Sequence, residues 1–256
     1  MIQHRGRRRA GFLWTALLVA LGAAAPEAAA EPFLDLYTGK SFTQNSEVRI
    51  RQPSQQDKFT FDDVSFKDES FDLPPYYGAR LGYYFEKYPW LGVGAEFFHF
   101  KIIADTAESK RLSGTNRGSP VNATVPMDSV VQTFQVTHGV NYLTADVLLR
   151  YSLLEEPERF PRGRLQLYGG AGVGPVIAHP ESRIDGASND GPYQVAGVGV
   201  QAFVGARAML FKYVGLFTEY KFTHSSLDVS VARGTGSFEE NTHHIVGGIT
   251  FTLPSF

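Results

Sequence analysis

The chain has 256 residues, no cysteine, 26 glycines and an aromatic content of 13%. Its 24 basic and 26 acidic residues give a formal net charge of −2, and no basic patch beyond the N-terminus invites nucleic acid. The lack of cysteine excludes disulfides, thiolate metal centres, Cys nucleophiles and a lipid-modified N-terminal Cys.

Residues 1–30 read as a cleavable secretory signal. Arg5, Arg7, Arg8 and Arg9 precede an uncharged stretch carrying Phe12, Leu13, Trp14, Leu17, Leu18 and Val19, and Ala28-Ala29-Ala30 supplies the small residues after which a signal peptidase cuts. The apolar run, about 15 residues, is short for a helical anchor, which needs roughly 20. Removing the segment takes away four basic residues and Glu27, leaving a net charge of −5. No later stretch has 18 consecutive apolar residues, so no helical span is expected there. Residues 31–256 are expected to form one all-β domain.

From residue 33 onward a period of two returns in block after block, the mark of strands with two unlike faces. In 33–40, Asp35, Tyr37 and Gly39 share one face. In 77–85, Tyr77, Ala79, Leu81, Tyr83 and Phe85 oppose Gly78, Arg80, Gly82 and Tyr84. In 91–98, Leu91, Val93, Ala95 and Phe97 oppose Gly92, Gly94, Glu96 and Phe98. Leu143 to Tyr151 at odd positions oppose Tyr142, Thr144, Asp146 and Arg150, and Leu165, Leu167, Ala171 and Val173 oppose Arg164, Gln166, Tyr168 and glycines. Val198 to Ala206 at even positions oppose Gln201, Phe203 and Arg207. Leu216, Thr218, Tyr220 and Phe222 oppose Phe217, Glu219 and Lys221, and Ile245, Ile249, Phe251 and Leu253 oppose His244, Gly248, Thr250 and Thr252.

The eight blocks are joined alternately by long stretches (43–75, 104–138, 179–193, 226–241) and short ones (86–90, 152–163, 211–214). This is the layout of an eight-stranded antiparallel up-and-down transmembrane β-barrel, with short turns at one end and long loops at the other. Strands of about ten residues cross the hydrocarbon when tilted, and closure removes the unpaired edges that lipid would penalise. The apolar face is therefore expected outward. The lumen is expected to hold a network of Asp35, Arg80, Glu96, Asp146, Arg150, Arg164, Arg207, Glu219 and Lys221, with Gln166, Gln201 and His244 nearby. An eight-stranded barrel has room only for side chains, so pairing of these charges is expected rather than an open channel.

Rings at strand ends (Tyr37, Tyr76, Tyr77, Phe85, Tyr88, Trp90, Phe97, Tyr151, Phe211, Tyr213 and Phe222) are expected in girdles at the two interfaces. The competing pattern is a soluble lipocalin-like barrel, whose apolar face would line a ligand cavity beneath a polar exterior.

Strands such as Gly78-Ala79-Arg80-Leu81-Gly82-Tyr83-Tyr84-Phe85, Leu91-Gly92-Val93-Gly94-Ala95-Glu96 and Phe217-Thr218-Glu219-Tyr220-Lys221-Phe222 resemble those of the small outer-membrane β-barrel proteins of the OmpA-barrel and OmpX kind. The resemblance implies a bacterial outer-membrane location and the barrel-assembly machinery, outer-membrane lipid and lipopolysaccharide as partners. It also implies surface interaction through the loops, with no extracellular partner named. Such barrels usually end in an outward aromatic residue. Here Phe256 follows Pro254 and breaks the parity of Phe251 and Leu253.

One constellation suggests chemistry: His224-Ser225-Ser226, with Glu239 and Glu240 following. A His can activate a Ser while a carboxylate orients the His. His224 and Ser226 continue the outward face, and the placement resembles the outer-membrane lipid A deacylases, which carry a His-x-Ser pair and a downstream Glu on the lipid-facing surface. Here Leu227 stands where that family has Asn. The preferred reading keeps these as ordinary strand-end residues of a non-enzymatic protein, with the hydrolase as the alternative.

No cofactor is expected. Adjacent His243 and His244 face opposite ways on a strand and cannot chelate together, although pairing with His138 or His179 is geometrically open, so no metal site is assigned. In the first long loop, 59–66 alternates and is expected to extend the strands above the membrane. The acidic residues Asp62, Asp63, Asp68, Glu69 and Asp72 there are candidates for divalent ions bridging lipopolysaccharide, against a plainly solvated loop.

Overall fold

The computed structural model describes residues 31–156, 158–160 and 162–252. The segment read as a signal and the terminal Leu253 to Phe256 lie outside the described residues. Eight strands form a closed ring: β1 (Glu31–Thr43), β2 (Tyr77–Tyr84), β3 (Leu91–Ala104), β4 (Val131–Leu153), β5 (Leu165–Ala178), β6 (Gln194–Met209), β7 (Val214–Val231) and β8 (Gly234–Thr252). Each pairs antiparallel with the next. β8 closes on β1 in a register running from Thr252 opposite Phe33 to Thr242 opposite Thr43. The protein is thus an eight-stranded antiparallel up-and-down barrel.

Alternation decides which face lies where. Leu81, Val147, Val204 and Ile245 are each more than half exposed, while Asp35, Arg80, Glu219 and Lys221 on the opposite faces are sealed inside. In water that arrangement would leave a very large apolar patch bare; in hydrocarbon it is the stable one. It is also the reverse of the lipocalin plan, so that alternative fails. Two ring assignments change as well. Tyr37 and Tyr76 are buried inside the barrel, whereas Tyr77, Tyr88, Trp90, Tyr151, Phe211 and Tyr213 are exposed at strand ends.

Small residues let the lumen accept its large ones. Gly78 faces inward where an added Cβ would fall 2.2 Å from the Tyr37 ring, and at Gly172 a Cβ would fall 1.9 Å from Asp146 Oδ1.

Strand length exceeds what a bilayer requires. β4 has 23 residues, β7 has 18 and β8 has 19. About ten tilted residues, at about 3.3 Å each, cross an apolar band of about 25 Å, so the far parts of these strands stand above it. Along β7 the outward face changes character at that level, from Leu216, Tyr220 and Phe222 to His224, Ser226 and Asp228.

Three of the four long connections, expected as loops apart from the alternating run 59–66, contain further strands. Ser46–Gln52 and Asp57–Val64 form a hairpin on the far half of β8, with Val48 opposite Phe238. A second hairpin, Ser109–Asn116 and Ser119–Pro126, adds to it through Lys58 opposite Thr115. A third, Glu181–Ile184 and Ala187–Asp190, adds to the start of β4, and Phe66–Lys67 pairs with the end of β3. In the fourth connection, β7 and β8 simply run on to a turn at Ala232-Arg233, where Arg233 has φ 61°.

These hairpins alternate as the barrel does, with Val48, Ile50, Phe59 and Phe61 inward and Glu47, Arg49, Arg51 and Lys58 outward. Their inner faces join Leu112, Phe134, Val229 and Phe238 in a dry core. The Phe238 ring packs 5.4 Å from Phe134 and 5.8 Å from Phe66. The barrel interior therefore has three levels. Charges sit within the membrane span. An aromatic collar follows, with Phe98 stacked on Tyr142 at 4.9 Å and Phe100 edge-on to His244 at 4.9 Å. The apolar core closes the far end.

Candidate functional site

The lumen network centres on Arg80 of β2. Its Nη1 donates to Glu219 Oε2 at 2.8 Å, and its Nη2 donates to Glu96 Oε2 at 3.0 Å and Glu219 Oε1 at 3.1 Å. Asp146 Oδ2 lies 3.6 Å from its Nε. Arg207 Nη2 reaches both oxygens of Asp35, at 3.0 and 2.9 Å. Lys221 donates to Glu96 Oε1 at 2.6 Å and to the Tyr37 hydroxyl, which itself donates to Glu96. Gln201 Nε2 ties Glu96, Thr144 and Asp146 together at 2.6 to 2.8 Å. Phe203 lies 4.0 Å beneath the Arg80 guanidinium. Such pairing answers the desolvation that isolated charges would suffer in a narrow lumen.

Two of the nine expected lumen residues stand apart. Arg164 is exposed, one residue before β5 begins, with its guanidinium 5.6 Å over the Phe160 ring; the β5 alternation does not extend that far. Arg150 is buried but belongs to the short-turn end, where it donates to Glu31 at 2.8 and 3.0 Å and to the Pro89 carbonyl. The central cluster is thus three cations (Arg80, Arg207, Lys221) against four carboxylates (Asp35, Glu96, Asp146, Glu219).

The sequence reading missed Glu31, and it placed Glu240 with the rim constellation and not in the lumen. Glu31 continues the Phe33, Asp35 parity two residues back. Glu240 continues the Thr242, His244 parity into a stretch read as loop; it is fully buried and takes hydrogen bonds from Thr223 at 2.7 Å, Ser225 at 3.0 Å and Tyr142.

On the outer surface, just above the apolar belt, β7 and β8 gather His224, Ser226 and Glu239. Register sets Ser226 opposite Glu239 and His224 opposite Asn241. The Ser226 hydroxyl donates to Glu239 Oε1 at 3.0 Å, His224 Nδ1 donates to Asn241 Oδ1 at 2.9 Å, and His224 Nε2 lies 3.8 Å from Glu239 Oε2. A nucleophile activated by an imidazole needs a Ser–His hydrogen bond. Here the carboxylate sits between the two and accepts the serine hydroxyl's hydrogen bond.

The acidic residues of the first long connection do not gather. Asp62 faces Arg111 at 3.9 Å, Asp63 faces Lys110 at 3.9 Å, Asp68 faces Lys40 at 3.8 Å and Glu69 faces Lys101 at 4.0 Å. Each of these four carboxylates meets a cation of the protein, which leaves no shared cage for a divalent ion. His243 lies outside with Tyr220 and Gln44, and His244 lies inside on Thr223.

No family model and no curated protein matches the chain in sequence. Several solved structures are similar to it. Neisserial surface protein A matches at 9% identity over 88% of this chain and 97% of that chain, with a TM-score of 0.41. The outer membrane protease OmpT from Escherichia coli matches at 8% identity over 90% of this chain and 99% of that chain, with a TM-score of 0.43. The outer membrane protein OprG from Pseudomonas aeruginosa matches at 12% identity over 88% of this chain and 97% of that chain, with a TM-score of 0.36. Two of these three are outer membrane proteins by name. The likeness is a distant one of fold, and no residue role passes through it to this chain.

Proposed function

We propose that the protein is an integral outer-membrane barrel without enzymatic activity, whose extracellular sheet is a surface for interaction outside the cell. The observation that carries the reading is the apolar core above the membrane span. Long connections that served only as links would have no reason to build strands with a dry inner face, and a folded platform keeps its outer side chains in fixed positions for a partner. The sealed interior speaks against a transport role. Outer-membrane lipid and lipopolysaccharide are the expected neighbours of the belt, and the barrel-assembly machinery its route of insertion.

The test of placement is outer-membrane fractionation together with heat-modifiable migration on gels. Recovery of the mature protein in the soluble periplasmic fraction would defeat the proposal.

A lipid A deacylase-like hydrolase is the second reading, favoured by the gathering of His224, Ser226 and Glu239 on the outward face near the outer leaflet. Against it stands the Ser226 hydrogen bond to Glu239 instead of His224. Mass spectrometry of lipid A from cells producing the protein separates the two readings: acylation unchanged relative to a Ser226→Ala variant supports the first, and acyl loss that depends on Ser226 supports the second.

A further inference from the structure

We propose that His138, His179 and Glu181 form a binding site for a zinc-type divalent cation on the extracellular side of the barrel. Their ligand atoms all lie within 4.8 Å of one another. The two imidazoles meet edge to face with ring centroids 4.9 Å apart, and His138 Nδ1 lies 2.8 Å from Glu181 Oε1.

The backbone brings them together through a break in register. His179 and Glu181 are two residues apart and project to one side of their extended run. On the neighbouring strand, Val140 pairs with Ala178 and Gln135 pairs with Glu181, so four residues on β4 span the interval that two residues span opposite. Gly139, at φ 116°, takes up the excess. The bulge re-aims His138, so that both Thr137 and His138 reach the same carboxylate, which simple alternation forbids.

The surroundings suit a metal site. Gln135 Nε2 and Thr137 Oγ1 donate to the Glu181 carboxylate at 2.9 and 2.6 Å, and the Tyr193 hydroxyl donates to the His138 carbonyl at 3.1 Å. Groups of this kind orient first ligands. The Tyr193 ring packs 4.9 Å from His179, and the Asp190 carboxylate lies 3.7 Å from His179 Nε2. His179 Nδ1 is buried and has no hydrogen-bond partner among the described residues. Two imidazoles and one carboxylate select a borderline ion such as zinc over calcium or magnesium, which require cages of oxygen.

The test is calorimetric titration of zinc into untagged full-length protein folded in detergent micelles and stripped with chelator. Cobalt, read by its visible absorbance, serves as the spectroscopic stand-in. The expected result is one saturable ion per chain, with no calcium binding at the same concentrations. His138→Gln and His179→Ala are expected to abolish saturation, Gln135→Ala to weaken binding about ten-fold, and His243→Ala to change nothing. Heat-modifiable migration confirms that each variant folds, and the half-exposed His138 keeps the test valid if His179→Ala does not fold. Absence of saturable zinc binding, or equal affinity in wild type and His138→Gln, overturns the proposal.

Discussion

Arg80 and Glu219, 139 residues apart in the chain, meet inside the barrel through two hydrogen bonds of 2.8 and 3.1 Å. Arg80 also bonds Glu96 and lies near Asp146 and Asp35, so one guanidinium serves four carboxylates.

Removing that guanidinium leaves carboxylates crowded without their common partner. Arg80→Met is expected to destabilise the barrel by about 3–5 kcal/mol, the cost typical of breaking a buried ion pair from one side. Glu219→Gln is expected to cost less, because it equalises three cations and three carboxylates. Urea unfolding in lipid vesicles, followed by tryptophan fluorescence, measures both. An equal or larger loss in Glu219→Gln would show that charge balance does not govern the lumen.

The interior is closed twice, by the charge network and by the apolar core above it. Purified protein in planar bilayers is expected to give no conductance steps above the bare membrane. Reproducible unitary steps would show that the two closures do not both persist in lipid.

Truncating Phe238 removes a ring, 2% exposed, that packs on Phe134 and Phe66. Phe238→Ala is expected to loosen the extracellular sheet by about 3–5 kcal/mol while leaving the membrane ring intact. Limited proteolysis reads the first effect as new cuts within 46–64 and 109–126, and preserved heat-modifiable migration reads the second. Loss of both together would mean that the two storeys fold as one unit.

At Gly78 a methyl group would meet the Tyr37 ring, whose hydroxyl bonds Glu96 and Lys221. Gly78→Ala is expected to cost about 1–3 kcal/mol by overpacking. Gly247, where the nearest atom to an added Cβ is 3.8 Å away, is the control: its change to Ala is expected to stay within about 0.5 kcal/mol. The same urea unfolding compares them, and equal effects would contradict the close fit at Gly78.

Much of the ring was legible in the sequence. The period of two names the inward and outward residue in each strand, and the charges of Asp35, Arg80, Glu96 and Lys221 lie on the polar side of that pattern. Arg164 shows the limit, because periodicity says which side a residue takes but not where the strand stops. The outer hairpins were hard to see for a related reason. Their short alternating runs are interrupted by turns and carry a polar outer face, so stretches such as Val48 and Ile50 read as loop, and only 59–66, with Phe59 and Phe61, showed its alternation. The rim cluster was legible as a set of residues on one face, while the choice of Glu239 over His224 as the Ser226 partner was not.

Side-chain alternation is a local property, repeated every two residues, and it was enough to establish eight strands, their faces and the polar lumen. Which residues touch depends on register, and in a closed ring register is a sum over every strand, settled when β8 pairs with β1. That sum places Arg80 against Glu219 and Ser226 opposite Glu239. A single bulge at Gly139 turns His138 toward His179 and Glu181, three residues that no spacing rule along the chain would have joined.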